Sequence, residues 1–107
     1  MSEVILAQST PTLNVETTLY TIPVGKSGIY DLNICNRNSV AAAVSFAITK
    51  SATKSYLCHA LPLPASGDPD NFITLSNRIT LPAGTVFSIL STVADVDFVL
   101  SGVEEEL

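Results

Sequence analysis

The chain has 107 residues, 47% of them apolar and only 14% charged, with a net charge of −5. That length allows one domain with one core and needs no metal or disulfide staple, and the apolar content excludes a disordered polar chain. The five basic residues, Lys26, Arg37, Lys50, Lys54 and Arg78, are scattered and outnumbered, which argues against nucleic acid as a partner. An average soluble domain carries roughly 25% charge. Charge as sparse as this implies that other protein covers part of the surface.

From the N-terminus, residues 1–14 read as an arm. Glu3 and the short run Val4 to Ala7 make no secretory signal, and the most apolar stretch, Val40 to Ile48, is too short to cross a membrane. No membrane partner is therefore expected, and the expectation is a chain either made and used on the cytoplasmic side or released from the cell by lysis. Thr21-Ile22-Pro23-Val24-Gly25 then supplies a corner, with Pro fixing φ and Gly taking an angle that other residues resist. Tyr30, Leu32 and Ile34 alternate with Asp31, Asn33 and Cys35, which predicts a strand. Asn36-Arg37-Asn38-Ser39 is turn chemistry, and the expectation is a hairpin with the strand that follows.

That next strand spans Val40 to Thr49. Val40, Ala42, Val44, Phe46 and Ile48 take one face; Ala41, Ala43, Ser45, Ala47 and Thr49 take the other. The second face is flat, small and uncharged, where an exposed edge would carry Lys, Pro or a bulge. It is either the second buried face of a central strand or a surface packed against another subunit. These five residues are the candidate interface.

Tyr56 to His59 is a short predicted strand, and Leu61 to Asp70, with three prolines, a rigid loop. Phe72 to Leu75 and Arg78 to Leu81 are two further short strands. Thr80-Leu81-Pro82-Ala83-Gly84 repeats the earlier Thr-aliphatic-Pro-x-Gly corner. Thr85 to Ser91 and Val96 to Val103 form a second expected hairpin around Thr92 to Asp95, and residues 104–107 an acidic tail, either frayed or docked on a basic partner. No helix is expected. The fold class that results is all-β: a single-domain antiparallel β-sandwich over residues 1–107, jelly-roll or Ig-like, with about seven or eight strands.

Chemistry is thin. His59 is the single histidine, with no nucleophile elbow and no phosphate-cradling loop around it, so no catalytic residue is assigned and no enzyme is expected. Its plain reading is a strand-end histidine at the surface or in an interface. Asp68-Pro69-Asp70 and Asp95/Asp97 lack the neighbours a calcium loop needs. Cys35 and Cys58 are 23 positions apart and read as free thiols, with a disulfide as the alternative. No metal and no cofactor is expected.

Two stretches carry a resemblance. Thr18-Leu19-Tyr20-Thr21-Ile22-Pro23-Val24-Gly25-Lys26, through Ile34-Cys35-Asn36-Arg37 into the Ala-rich strand, is similar to the opening of small virion structural proteins of tailed bacteriophages. Ile79-Thr80-Leu81-Pro82-Ala83-Gly84-Thr85, through Ser91-Thr92 to Val96-Asp97-Phe98-Val99-Leu100-Ser101-Gly102-Val103, resembles their usual ending. Thr85 departs from the Asp often found there, and no functional role rests on that position. The resemblance spans about residues 15 to 104 and implies a structural type more than a place in the particle. It implies a virion protein assembled in the host cytoplasm, foremost a capsid decoration or cement subunit. Neck, collar or baseplate components come next, and a tail-fibre or receptor-binding module last. Its partners would be its own copies, as a trimer or ring, together with major capsid or neck and tail proteins.

Overall fold

The computed structural model describes residues 4–106, with the side chains of 77–80 left aside. Residues 1–3 of the N-terminal arm and 107 of the acidic tail lie outside the described residues. Eight strands follow one another: β1 Val4–Ser9, β2 Thr17–Thr21, β3 Lys26–Asn36, β4 Ala42–Lys50, β5 Thr53–Leu63, β6 Phe72–Leu81, β7 Val86–Ser91 and β8 Val96–Glu106. They build two antiparallel four-stranded sheets, ordered β1-β8-β3-β6 and β2-β7-β4-β5. This interleaved order, with nearly every connection crossing between sheets, makes the sandwich a jelly roll and not an Ig-like one.

The period-two pattern places most of the core as the sequence predicts; the exceptions are Val40, which lies ahead of β4 and is 59% exposed, and Ile48, which is only half-buried. Tyr30, Leu32 and Ile34 of β3, Val44 and Phe46 of β4, Phe87 and Ile89 of β7, and Val96, Phe98 and Leu100 of β8 are all buried between the sheets. Phe87 stacks on Phe46 at 5.6 Å and meets the edge of Tyr30 at 5.1 Å, locking the two sheets together through aromatic contacts.

The two expected hairpins are not hairpins. β3 and β4 lie in different sheets, and so do β7 and β8. Turn residues at 36–39 and 92–95 are equally suited to a corner that changes sheet, and alternation in the flanking strands does not distinguish the two. Asn36 makes the first corner: its buried amide donates to the carbonyls of Val40 and Pro64, and its Oδ1 accepts from the Asn38 N–H. Among the described residues the one true hairpin joins β4 to β5 through Ser51 and Ala52, both at positive φ (52° and 65°). The short strand expected at Tyr56 to His59 is the middle of this eleven-residue β5, and Pro62 is tolerated because β5 is a sheet edge. Phe72 to Leu75 and Arg78 to Leu81 are halves of one strand, β6.

The two Pro-x-Gly corners are real and sit side by side. Gly25 and Gly84 have φ of 83° and 84°. The Gly84 N–H donates to the Ile22 carbonyl at 2.9 Å, and the Ile22 N–H to the Thr85 carbonyl at 3.0 Å. Each corner carries the chain from one sheet to the other. Glu104 to Glu106 belong to β8 and pair with Lys26 to Gly28, so this part of the acidic segment is strand and not a frayed tail. Within the N-terminal arm, Val4–Ser9 pairs with β8 as an edge strand.

Candidate interaction surface

Each sheet has one face in the core, so the candidate surfaces are the two outer faces and the free edges. The five positions chosen from sequence lie on the outer face of the β2-β7-β4-β5 sheet, as their parity requires. Ala41 is exposed just ahead of β4, and Ala43 and Thr49 are half-buried. Ser45 and Ala47 are only 6% and 1% exposed. The chain shades these two itself: Tyr56 from β5, Leu90 from β7 and Glu16 ring a depression of about 70 Å³ over them. Lys54 ion-pairs with Glu16 across that rim, stands 4.9 Å from the Tyr56 ring centroid, and its ammonium is held above the ordinary lysine range chiefly by the bond to Glu16. The Ser45 hydroxyl also accepts the Ala60 N–H at 3.0 Å, where β5 bulges and Ala60 takes a φ of 51°. The smooth row is therefore open at its two ends and occupied in the middle.

The other sheet carries a second apolar surface. Ile29, Asp31, Asn33 and Cys35 of β3 alternate outward, opposite Val103, Ser101, Val99 and Asp97 of β8. Ile29 is 48% exposed, Ile5 of β1 64% and Phe72 of β6 62%. Two apolar clusters result, with a polar belt between them. Ile5, Ile29 and Val103 lie toward one end; Val99, Cys35 and Phe72 lie toward the other, in a shallow depression also reached by Asn33 and Asp97. The belt holds the Thr74–Asn33 hydrogen bond at 2.6 Å. One signal for this face was present in the sequence. Between Val96 and Val103 both parities are apolar at several positions, which a strand with one wet face does not need.

Charge borders this face at one corner. Arg37 donates to Asp97 through two nitrogens, at 2.6 and 3.1 Å, and Thr10 adds a third bond at 2.6 Å. The Arg37 hydrogen bonds hold the Asp97 carboxyl below the usual aspartate range. At the opposite end one carboxylate oxygen of Glu104 accepts both Tyr20 and Tyr30 hydroxyls, at 2.7 and 3.0 Å, tying β2 of one sheet to β3 and β8 of the other. Burial, reinforced by the bond to Glu104, pushes both phenols well above their ordinary range.

The remaining candidates are isolated. His59 is exposed on β5, its ring edge-on to Tyr56 at 4.7 Å. Asp68 closes an Asx turn by accepting the Asp70 N–H at 2.8 Å. Among the described residues no three His, Cys, Asp or Glu side chains converge to hold an ion. Cys35 and Cys58 are free thiols, and burial raises the Cys58 pKa. No family model, curated protein or solved structure matches the chain.

Proposed function

We propose that this protein is a structural subunit of a tailed-phage virion, foremost a capsid decoration or cement protein, acting through protein–protein contacts. The observation that carries the reading is the outer face of the β1-β8-β3-β6 sheet, where Ile5, Ile29 and Phe72 stand exposed on a chain with few charges. Apolar surface of this kind is what a subunit covers on assembly. The jelly roll is compatible with that role but hosts many others, so fold alone carries little weight. The resemblance in residues 15 to 104 directs the choice toward virions. Bound across neighbouring capsid proteins, such a subunit stabilises the assembled state by mass action without covalent chemistry.

The test is binding of the purified chain to tailed-phage particles lacking their accessory proteins. Co-sedimentation and a higher temperature for genome release are the expected results. A chain that ignores capsids, necks and tails alike overturns the reading.

A further inference from the structure

The four sheet edges are not equally protected. β1 and β2 are short and lie against each other on the closed side of the sandwich. β5 carries Lys54 and Pro62, two bulges and Ala60 in the left-handed region, all devices that deter pairing. β6 has none of these in its first half. Phe72-Ile73-Thr74-Leu75-Ser76 contains no charge, no proline and no glycine, and pairs with β3 without irregularity. Nor does β5 cover it, because the sandwich opens between β5 and β6 in a cleft of about 260 Å³ lined by Leu57, Leu75, Phe46 and Phe87.

The ladder fixes which backbone groups are free. The Asn36 N–H donates to the Asn71 carbonyl at 2.9 Å, one step before the Cys35–Phe72 pair. Hydrogen-bonded pairs alternate with non-bonded ones in an antiparallel ladder. Ile73 and Leu75 therefore bond to β3, while Phe72, Thr74 and Ser76 direct both N–H and C=O away from it. The far side of β3 agrees: the Arg37 N–H bonds to the Asp95 carbonyl, which turns Cys35 and Asn33 toward β8.

We infer that β6 pairs with β6 of a second copy, antiparallel about a two-fold axis at Thr74, extending the sheet across a dimer. A row of alternating donors and acceptors is complementary to itself under that rotation. Thr74 of each copy meets its counterpart, and Phe72 faces Ser76 across the axis, so the exposed ring gains a neighbour. A second copy repels the first by its net charge of −5, and this uncharged segment is where close approach costs least. The contact is isologous and closes at two copies; a trimer or ring would need a further interface on the sheet faces. The inference concerns the isolated chain and stands or falls separately from particle binding.

The experiment is light scattering coupled to size exclusion on the full chain, with amide hydrogen exchange at matched concentrations. Wild type is expected to be a dimer at about 100 μM. Thr74→Pro removes a free-edge N–H without touching the β3 ladder and is expected to be monomeric. Thr74→Val, which loses the same side-chain bond to Asn33 but keeps the N–H, is expected to remain dimeric. The amides of Phe72, Thr74 and Ser76 are expected to be protected in concentrated wild type and to lose that protection on dilution, a readout independent of whether the proline variant folds. A monomeric wild type, a folded Thr74→Pro that still dimerises, open-ended oligomers, or protection of these amides only when another protein is added would each overturn the inference.

Discussion

At the scale of single residues, two glycines show how different their roles are. A Cβ on Gly102 would lie 2.6 Å from the Ile29 carbonyl oxygen and 2.9 Å from the Tyr30 ring, inside the β3–β8 ladder. Backbone cannot retreat there without breaking the sheet. Gly25 has open space around it but a φ of 83°. Gly102→Ala is therefore expected to lower stability by about 3 kcal/mol, as overpacking of a tight site does, and Gly25→Ala by about 1 kcal/mol through backbone strain alone. Urea midpoints of the two variants check the order, and equal costs would show that the strands part more easily than their packing suggests. Tyr20 and Tyr30 give a second residue-level expectation. Their raised pKa values mean that the fold favours the protonated phenols, so their contribution is present below pH 10, the usual tyrosine value, and is lost as pH rises beyond it. Melting temperature measured from pH 8 to pH 11.5 should fall on the alkaline side, and less steeply in Tyr30→Phe.

At the scale of elements, the strands were legible and their partners were not. Alternation in Val40 to Thr49 and Val96 to Val103 identifies the core face because burial acts on every second side chain. Sheet membership is set by corners, and the same Asn- and Ser-rich chemistry serves a hairpin and a crossover alike. The real hairpin went unread because Ser51-Ala52 lacks the Asn-Gly signature of a turn with two positive φ angles. The candidate surface was half legible for a related reason: parity placed Ser45 and Ala47 outward, but nothing local revealed that Tyr56 and Glu16 would shade them. The hairpin can be tested directly. Replacing Ser51-Ala52 by Asn-Gly relieves two strained residues and is expected to stabilise the protein by about 1 kcal/mol, read as a higher urea midpoint at unchanged m. No gain would mean that the neighbouring strands, and not the turn, dictate these angles.

At the scale of the whole molecule, the sandwich measures 43 × 30 × 19 Å, so each broad outer face exceeds the roughly 800 Å² per partner that a specific interface commonly buries. Under the proposed particle-binding role, charge insertion decides which face docks, because an unpaired carboxylate disrupts an apolar contact yet is harmless on a wet surface. Ala47→Glu is the internal reference. Its position is shaded by the chain itself, so the glutamate is expected to cost more than about 2 kcal/mol of stability in the free subunit. Ala43→Glu sits at the half-open end of the same row and should leave the fold intact by circular dichroism. Ile29→Glu, on a side chain already half in water, should also fold. The three variants then separate the surfaces. If the β1-β8-β3-β6 face is the docking surface, Ile29→Glu abolishes particle binding and Ala43→Glu retains it. The reverse result, with both proteins folded, would move the interface back to the row chosen from sequence.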